Sequence, residues 1–366
     1  MKKAIALATI ATCAVVVYSC KKNNNTSTGT ATQVVTLNLP ATTEKFFDPT
    51  GSPQHFYDSL NRVATLGKVL FYDNHMSVNN AISCGTCHKQ ALGFADNTAF
   101  SQGFEGRLTG RNSPGISALN GVTPLFWDGR ENNLHNLVLR PITNHVEMGI
   151  EDASVLPGKL AALPYYNKLF TDAFNDGAIT LDRISTSVSL FLQSIGQPGT
   201  APTRFDLYQS GNSAALTAQE VEGMNLFDTK YNCAACHRGS SGGYGGSATF
   251  RDIGLDNTYT DAGRGVVTGN EADRGTFKVP NLRNVAITAP YMHDGRYKTL
   301  DEVLNHYSHD IRNSQNLDPL LKDTYGSPKA FNISDNDKAA IIAFLNTLTD
   351  NTTATDPKFS NPFKVN

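Results

Sequence analysis

The five-residue pattern Cys-x-x-Cys-His occurs twice in this chain, as "CGTCH" at residues 84–88 and as "CAACH" at residues 233–237. Two thiols at this spacing can bind zinc, form a redox or structural disulfide, or add across the vinyl groups of a haem. Zinc ribbons place their paired Cys-x-x-Cys knuckles roughly 15–20 residues apart, far closer than these two motifs. Neither kind of disulfide requires a histidine directly after the second cysteine, and bridges between such close residues seldom occur as identical repeats.

Attachment of a c-type haem does require that histidine, because its imidazole ligates the iron of the haem that the thiols hold. The thioether bonds and the iron–nitrogen bond must all reach one macrocycle, which fixes the local spacing. The sequence therefore predicts two covalently bound haem c groups. Each is held by three residues: Cys84, Cys87 and His88 for the first, and Cys233, Cys236 and His237 for the second.

Helices are expected to position both motifs. Apolar residues follow a helical period before each motif and in two further stretches. These segments are 60–70, 217–227, 181–195 and 341–348. Thr217 with Glu220 forms a capping-box pattern, and strand patterns are sparse. The sequence thus predicts a mainly α fold, with two cytochrome c-like haem domains packed against each other and long Gly-rich loops.

The first residues indicate export. A basic start is followed by an apolar stretch, 4–17, that is too short to span a bilayer comfortably. "VYSC", at 17–20, resembles a bacterial lipobox, although Tyr18 is bulky for that motif and ordinary signal-peptide cleavage stays open. We therefore expect a periplasmic protein, held at a membrane only by acyl chains on Cys20. The net charge of −2, without any Lys/Arg run, argues against a nucleic-acid partner.

The predicted organisation along the chain has five parts. They are a signal peptide of lipoprotein type (1–19), a flexible tether (20–45), an N-terminal haem domain (46–198), a C-terminal haem domain (199–352) and a tail (353–366).

Longer stretches accompany the two motifs. "LGKVLFYD" precedes the first, "GRNSPGISALNG", "FWDGR" and "NHVEMG" follow it, and "VPNLRNVAITAPYMHDGRY" and "TLDEVLNHY" follow the second. Over roughly residues 50–350 the chain resembles the bacterial di-haem cytochrome c peroxidase family, which includes the MauG-like oxidases. The resemblance implies a peroxidatic N-terminal haem, an electron-transfer C-terminal haem and a Ca²⁺ ion between the domains.

Two irons suit peroxide chemistry. Reducing hydrogen peroxide takes two electrons, whereas outside donors deliver them singly, and a proton must move between the peroxide oxygens as their bond breaks. By resemblance, Glu147 is the acid/base residue at the first iron. In the peroxidases a histidine in the loop before "RNSP" caps this iron at rest. Gln102 stands at that position here, so we expect an open iron that needs no reductive activation, unless a shifted loop supplies another ligand.

The second iron needs a ligand opposite His237. The peroxidases usually place Met there, whereas alignment from "APYMHDG" places Tyr307, the ligand type of the MauG-like branch. Thr299 with Glu302 forms a capping-box pattern, and a helical period places Tyr307 on the buried face and His306 well off it. A tyrosine on such a face is ordinarily a packing residue of the core. If Tyr307 only packs, the ligand would be His306, His309 or Met292.

Further residues match family positions. Trp127, the only tryptophan, matches the aromatic residue between the haems, although a single tryptophan is usually a packing residue. Asn112, Thr288 and Pro290 match the calcium contacts, and His293 matches a residue near the second haem.

The resemblance implies a peroxidase that takes electrons from a small donor protein, such as a cytochrome c or a cupredoxin, and that often forms a homodimer. Two alternatives stay open: a MauG-like oxidase of a protein or small-molecule substrate, and a di-haem electron carrier without catalysis.

Overall fold

The computed structural model describes residues 36–39, 44–47, 54–116, 119, 123–196, 202–239, 244 and 248–363. The predicted signal peptide, the lipidation site Cys20 and most of the tether lie outside these residues. The end of the predicted tether contacts the folded chain. The N–H of Asn38 donates to the Pro362 carbonyl over 2.6 Å, and Glu44 pairs with the buried Lys68 at 2.8 Å. Residues 36–39 and 44–47 therefore belong to the folded unit.

The described residues are mainly helical, with two short strands, as predicted. The α-helices are α1 (Gln54–Tyr72), α2 (Cys84–Cys87), α3 (Leu134–Thr143), α4 (Leu156–Ala161), α5 (Pro164–Phe174), α6 (Leu181–Ser194), α7 (Arg204–Gln209), α8 (Ala218–Asn225), α9 (Ala234–His237), α10 (Gly265–Thr268), α11 (Leu300–Asn305), α12 (Asp335–Asn346) and α13 (Asn351–Thr355). Two π-helices span Leu226–Lys230 and His306–Asp310. Strands β1 (Phe250–Arg251) and β2 (Phe277–Lys278) pair antiparallel, with Phe250 opposite Lys278 and Arg251 opposite Phe277.

The first hydrophobic core is built on the crossing of α1 and α6. The helices approach closely at Gly67, where a Cβ atom would lie 1.9 Å from the Ser187 carbonyl oxygen. Fully buried apolar side chains, among them Leu66, Leu70 and Phe191, fill the contact. This crossing fixes the end of α1, from which the chain enters the first Cys-x-x-Cys-His motif.

The second core repeats this construction with α8 and α12. At Gly223 a Cβ atom would lie 1.9 Å from the Ala340 carbonyl oxygen. The predicted capping box is present, because the Thr217 side chain accepts from the Glu220 N–H and Glu220 accepts from the Thr217 N–H. Helix α12 begins after its N-cap Ser334, whose side chain accepts from the Asp337 N–H.

The two cores are joined within one compact unit that begins at Thr36. Arg111 donates from Nε and Nη2 to the Asp261 carboxylate over 2.6 and 2.8 Å, and from Nη1 to Asp128 over 2.5 Å. The chain also returns at its end, because Phe359 is buried in the first core and its carbonyl accepts from the Tyr72 hydroxyl over 2.7 Å. The predicted boundaries at 198/199 and 352/353 stay predictions. In the described part of the chain, no helix has the length and apolar character to cross a membrane.

Candidate functional site

The first Cys-x-x-Cys-His motif forms one helical turn, α2, whose two thiols are free and half-buried. Burial raises the pKa of Cys84 to about 12 and that of Cys87 to about 11, and it lowers the pKa of His88. The Nδ1 of His88 lies 2.8 Å from the Phe94 carbonyl oxygen. Because a carbonyl only accepts, Nδ1 carries the proton and Nε2 keeps its lone pair, the state required of a metal-binding imidazole.

The second motif follows the π-helix Leu226–Lys230, and the Cys233 N–H donates to the Phe227 carbonyl over 2.8 Å. Burial raises the pKa of Cys233 to about 12 and lowers that of His237 to about 4. The Pro280 carbonyl lies near the His237 imidazole and opposes this lowering of its pKa. The buried Nδ1 of His237 nevertheless makes no hydrogen bond of ordinary geometry within the described residues. Burial therefore favours the neutral form of both imidazoles, which is the form that binds a metal.

Glu147 is close enough to the first motif for its charge to act on the thiols. Its carboxylate contributes, after burial, to raising the pKa of both the Cys84 and Cys87 thiols. Asn144 builds the turn that carries it: the Asn144 Nδ2 donates to Glu147 Oε1 over 3.0 Å, and Asn144 Oδ1 accepts from the Val146 N–H over 2.8 Å. Burial raises the pKa of Glu147, an effect that the charge of Arg130 opposes.

Gln102 stands on a hairpin that contacts this turn. The Gln102–Leu108 bridge closes the hairpin, and the Phe104 N–H donates to the Glu147 carbonyl over 2.8 Å. Gly103 permits the contact, since a Cβ atom there would lie 2.2 Å from the Val146 carbonyl oxygen. Gln102 itself is exposed. The structure thus joins the predicted Gln102 and Glu147 segments.

Tyr307 lies beside the second motif, because the Cys233 and Cys236 thiols add to burial in raising its pKa. The predicted Thr299/Glu302 capping box is present. The prediction that His306 falls off the buried face is wrong: His306 is 1% exposed. The helix widens into the π-helix His306–Asp310, so the 3.6-residue period used for the prediction no longer holds there.

The alternative histidines are placed differently. The Nε2 of His306 lies 2.9 Å from the Ile253 carbonyl oxygen, and its Nδ1 lies 3.4 Å from the Tyr297 hydroxyl. Both ring nitrogens thus have partners within the protein. His309 is exposed, and Met292 is half-buried.

Trp127 spans the junction of the two halves. Its indole Nε1 donates to the Asn112 carbonyl over 2.9 Å, and its own carbonyl accepts from the Lys278 N–H over 2.8 Å. These contacts join a residue of the first half to β2 of the second. This position of Trp127 is consistent with the prediction that it lies between the two haems.

The residues predicted to bind calcium lie along the same junction. The Asn112 Nδ2 donates to the Thr98 carbonyl over 3.1 Å, which leaves Oδ1 as the side-chain acceptor. The Asn112 N–H donates to the His293 carbonyl over 2.7 Å, which brings Asn112 to the segment that carries Thr288 and Pro290. Within the residues described, no cluster of three acidic, His or Cys side chains suited to a metal is found. The predicted calcium ligands are instead one side-chain amide oxygen, of Asn112, and backbone carbonyl oxygens.

His293 is stacked on Phe277, with ring centroids 3.7 Å apart. It is 9% exposed, and burial lowers its pKa.

Comparison with known proteins adds a second line of observation. The family model of the di-haem cytochrome c peroxidases matches residues 61–214, and that of cytochrome c matches residues 220–349. The cytochrome c551 peroxidase of Nitrosomonas europaea is 37% identical over 246 residues, which cover 66% of this chain and 71% of that protein. The chain belongs to the di-haem cytochrome c peroxidase family.

Both branches of this family are represented among its relatives. The methylamine utilization protein MauG of Methylophilus methylotrophus is 32% identical over 316 residues, or 85% of this chain and 89% of that protein. The solved structure of a MauG-like protein associated with microbial copper homeostasis has a TM-score of 0.74 at 30% identity, and covers 87% of this chain and 98% of that one.

Family membership confirms the two cytochrome c-like domains, the peroxidase class of oxidoreductase and two haem c groups as cofactors. The donor set of this di-haem peroxidase fits those groups. Each motif offers two free thiols and one neutral imidazole, and the locked tautomer of His88 directs Nε2 to a metal.

Three residues that matter to the geometry of the site were not predicted: Asn144, Arg111 and Lys278. Asn144 could have been found, because Asn-x-x-Glu spacing lets an amide reach the carboxylate of the same turn. Arg111 and Lys278 owe their roles to segments far away in the chain, for which the sequence carries no local signal.

Proposed function

We propose that this chain reduces hydrogen peroxide to water with single electrons from a small donor protein such as a cytochrome c. The proposal rests chiefly on the position of Glu147. Its carboxylate is close enough for its charge to act on the Cys84 and Cys87 thiols, is held by the Asn144 amide over 3.0 Å and has a raised pKa. A desolvated carboxyl of this kind can both take and return a proton.

In this proposal Cys84 and Cys87 hold the peroxidatic haem by thioether bonds, and His88 Nε2 ligates its iron. Cys233, Cys236 and His237 hold the electron-transfer haem in the same way. When bound, the haems supply the iron at which the peroxide bond is cleaved and the capacity to take up two electrons one at a time.

Glu147 accepts a proton from the oxygen of peroxide nearer the iron and returns it to the departing oxygen, which leaves as water. Proton transfer by a positioned side chain contributes about 10²–10⁴-fold to a rate. The Asn144 amide keeps the carboxylate aimed. Trp127 provides an aromatic path between the two sites, since its contacts join Asn112 to β2.

The test compares two glutamates of one loop. Glu147→Gln should lower steady-state peroxide turnover with reduced cytochrome c by about 10²–10⁴-fold, while the haem content is unchanged. Glu151→Gln is the matched control, because the Glu151 side chain is 78% exposed and pairs only with the surface residue His145 in the described structure. A wild-type rate in Glu147→Gln would remove Glu147 from this role.

Spectroscopy separates the enzyme from a plain electron carrier. Low-temperature EPR of the ferric holoprotein should show one high-spin and one low-spin haem. Two low-spin haems would favour the carrier. Because Gln102 stands where the peroxidases carry a histidine, the high-spin signal is expected without prior reduction.

A MauG-like oxidase is the second candidate, and Tyr307 is the observation that favours it. Its half-buried side chain packs against the same core as Cys233, and the charges of Cys233 and Cys236 add to burial in raising its pKa. As a ligand, a phenolate stabilises oxidised iron and lowers its potential, which favours storing oxidising equivalents. Fast steady-state oxidation of reduced cytochrome c would support the peroxidase, and negligible oxidation would support the oxidase.

We also propose a Ca²⁺ ion at the junction, bound by Asn112 Oδ1 and the Thr288 and Pro290 carbonyls, with His293 near the second haem. Oxygen ligands of this type suit Ca²⁺. Elemental analysis of the purified holoprotein should give one calcium per chain, lost in Asn112→Ala.

The export features support a periplasmic location with an anchor at Cys20, and family habit supports a homodimer and a cytochrome or cupredoxin donor. Cys20→Ser should release the protein from the membrane fraction. Light scattering of the soluble form measures the oligomeric state, and turnover with each reduced donor identifies the partner.

A further inference from the structure

The short ribbon of β1 and β2 has two faces with different neighbours. Residues directly opposite in an antiparallel pair share a face, so Lys278 lies on the face of Phe250. The Phe250 ring packs on Gly129, where a Cβ atom would lie 2.3 Å from its Cζ. Lys278 therefore leaves the ribbon toward the 127–129 turn, and its N–H donates to the Trp127 carbonyl over 2.8 Å.

The opposite face of the ribbon is already neutralised. Arg251 lies there and donates from Nη1 to the Asp318 carboxylate over 2.8 Å. Its charge also reaches the second motif, since it opposes the rise in the pKa of Cys236 that burial causes. The ribbon thus carries one cation on each face, and that of Arg251 has its anion within the protein.

Lys278, which is half-buried, differs in this respect from the buried Lys68 and the half-buried Lys338. Lys68 pairs with Glu44 at 2.8 Å, and Lys338 pairs with Asp335 at 2.8 Å. The Nζ of Lys278 has no hydrogen bond or ion pair with the residues that the structure describes, and burial alone lowers its pKa. A desolvated ammonium without an anion destabilises the protein, so this position calls for a negatively charged partner.

The cofactor brings such a partner. Every haem c carries two propionate carboxylates, and a carboxylate is the anion that an ammonium binds with a charge-assisted hydrogen bond. Lys278 is two residues from Pro280, whose carbonyl lies close to the His237 imidazole. We propose that Lys278 binds a propionate carboxylate of the haem held by the Cys233–His237 segment.

The consequence concerns electron transfer through the junction. Reduction of the second haem adds one negative charge, which the Lys278 ammonium stabilises, so the residue raises the reduction potential of that haem. Because the Lys278 N–H also bonds the Trp127 carbonyl, one residue of β2 contacts the cofactor and holds the backbone of the aromatic residue at the junction. This inference rests on the two haems and is independent of the proposed peroxide turnover.

The experiment uses the holoprotein with Lys278→Met, Lys278→Arg and, as a control, the exposed Lys298→Met. Haem content and far-UV circular dichroism first establish that each variant is loaded and folded. Spectroelectrochemical titration then gives the midpoint potential of each haem, and resonance Raman spectroscopy of the reduced protein gives the propionate bending bands.

Lys278→Met is expected to lower the potential of the second haem and to shift one propionate band. Lys278→Arg should keep both near wild type, because it retains the charge, and Lys298→Met should change neither. Unchanged potentials and Raman bands in Lys278→Met would overturn the proposal, as would changes confined to the first haem. Should Lys278→Met fail to fold, Lys278→Gln carries the same test.

Discussion

The two Cys-x-x-Cys-His sites share one local sequence pattern and differ in the acids around them. Near the second motif, Asp318 is paired with Arg251 at 2.8 Å, and Asp228 is bound by Arg238 and by the Tyr244 hydroxyl. Near the first motif, Asp96 is likewise paired with a cation, Lys89, at 2.6 Å, whereas Glu147 is bound by a neutral amide and forms no ion pair within the described residues. Because burial raises the pKa of Glu147 and no cation is bonded to it, this carboxyl can exchange a proton.

The helices that lead to the two sites differ as well. Before the first motif, α1 is a regular α-helix of 19 residues. One π-helix, Leu226–Lys230, precedes the second motif, and another, His306–Asp310, contains Tyr307. π-Helical turns are rare and frequently occur at functional sites. The first site thus has a proton-transfer group, and the second has a candidate iron ligand. This is the asymmetry that the proposed function requires.

The largest expected effect comes from the candidate ligand. Tyr307→Met should raise the potential of the second haem by on the order of 0.1 V, because axial ligands set haem potentials over a wide range and a thioether favours reduced iron. Spectroelectrochemistry of both haems measures the change, and the first haem should keep its potential. Tyr297→Phe is the control, since Tyr297 lies near Tyr307 but its hydroxyl faces His306. An unchanged second potential would make Tyr307 a core residue.

A smaller effect is expected where the halves meet. Arg111→Met should lower the free energy of unfolding by about 2–3 kcal/mol, because it leaves the half-buried Asp261 without its cation and leaves the buried Asp128 with Arg130 alone, at 3.0 Å. Lys168→Met, which removes a surface pair with Asp172, should cost less than about 0.5 kcal/mol. Urea unfolding of the holoproteins provides both values.

The pH dependence of this clamp has a definite sign. Burial alone would raise the pKa of Asp128 and Asp261, but the bonds from Arg111, together with Arg130 at Asp128 and the Gly263 N–H at Asp261, lower both values. A depressed folded-state pKa gives stability that is present above the unfolded value of about 3.9 and is lost as the pH falls through the folded value. The difference between wild type and Arg111→Met should therefore shrink below about pH 4. A constant difference would contradict the assignment.

Local patterns explain which parts of the fold could be predicted. The capping boxes at Thr217 and Thr299 each involve residues three apart, and both are present. The glycines that let helices cross, Gly67 and Gly223, gave no such signal, because their partners lie more than a hundred residues away. The mainly helical fold was therefore predictable, and the closeness of its helix pairs was not.

The same distinction holds within the site. Haem spacing is local, and family motifs indicated Glu147 and Trp127, which the structure places beside the first motif and across the junction. The burial of His306 was missed because a period of 3.6 residues cannot foresee a π-turn. Lys278 and Arg111 depend on tertiary pairing, since neither has a partner nearby in the sequence that reveals its role.

The smallest expected effect tests whether the Asn144 amide controls the first site. The Asn144 Nδ2–H stabilises the ionised form of Glu147, so Asn144→Ala should raise further a pKa that burial already raises. If the ionised carboxylate accepts the proton from peroxide, the acidic limb of kcat/KM should move upward by about 0.5–1 pH unit, equivalent to about 1 kcal/mol. At higher pH the rate should approach that of wild type, because the carboxylate is then ionised in both proteins. Asn136→Ala, at an exposed position of α3, should leave the profile in place. A uniform loss of rate at every pH would instead mean that Asn144 acts only on the position of the carboxylate. The amide hydrogen bond would then not explain how Glu147 differs from the arginine-paired acids of the second site.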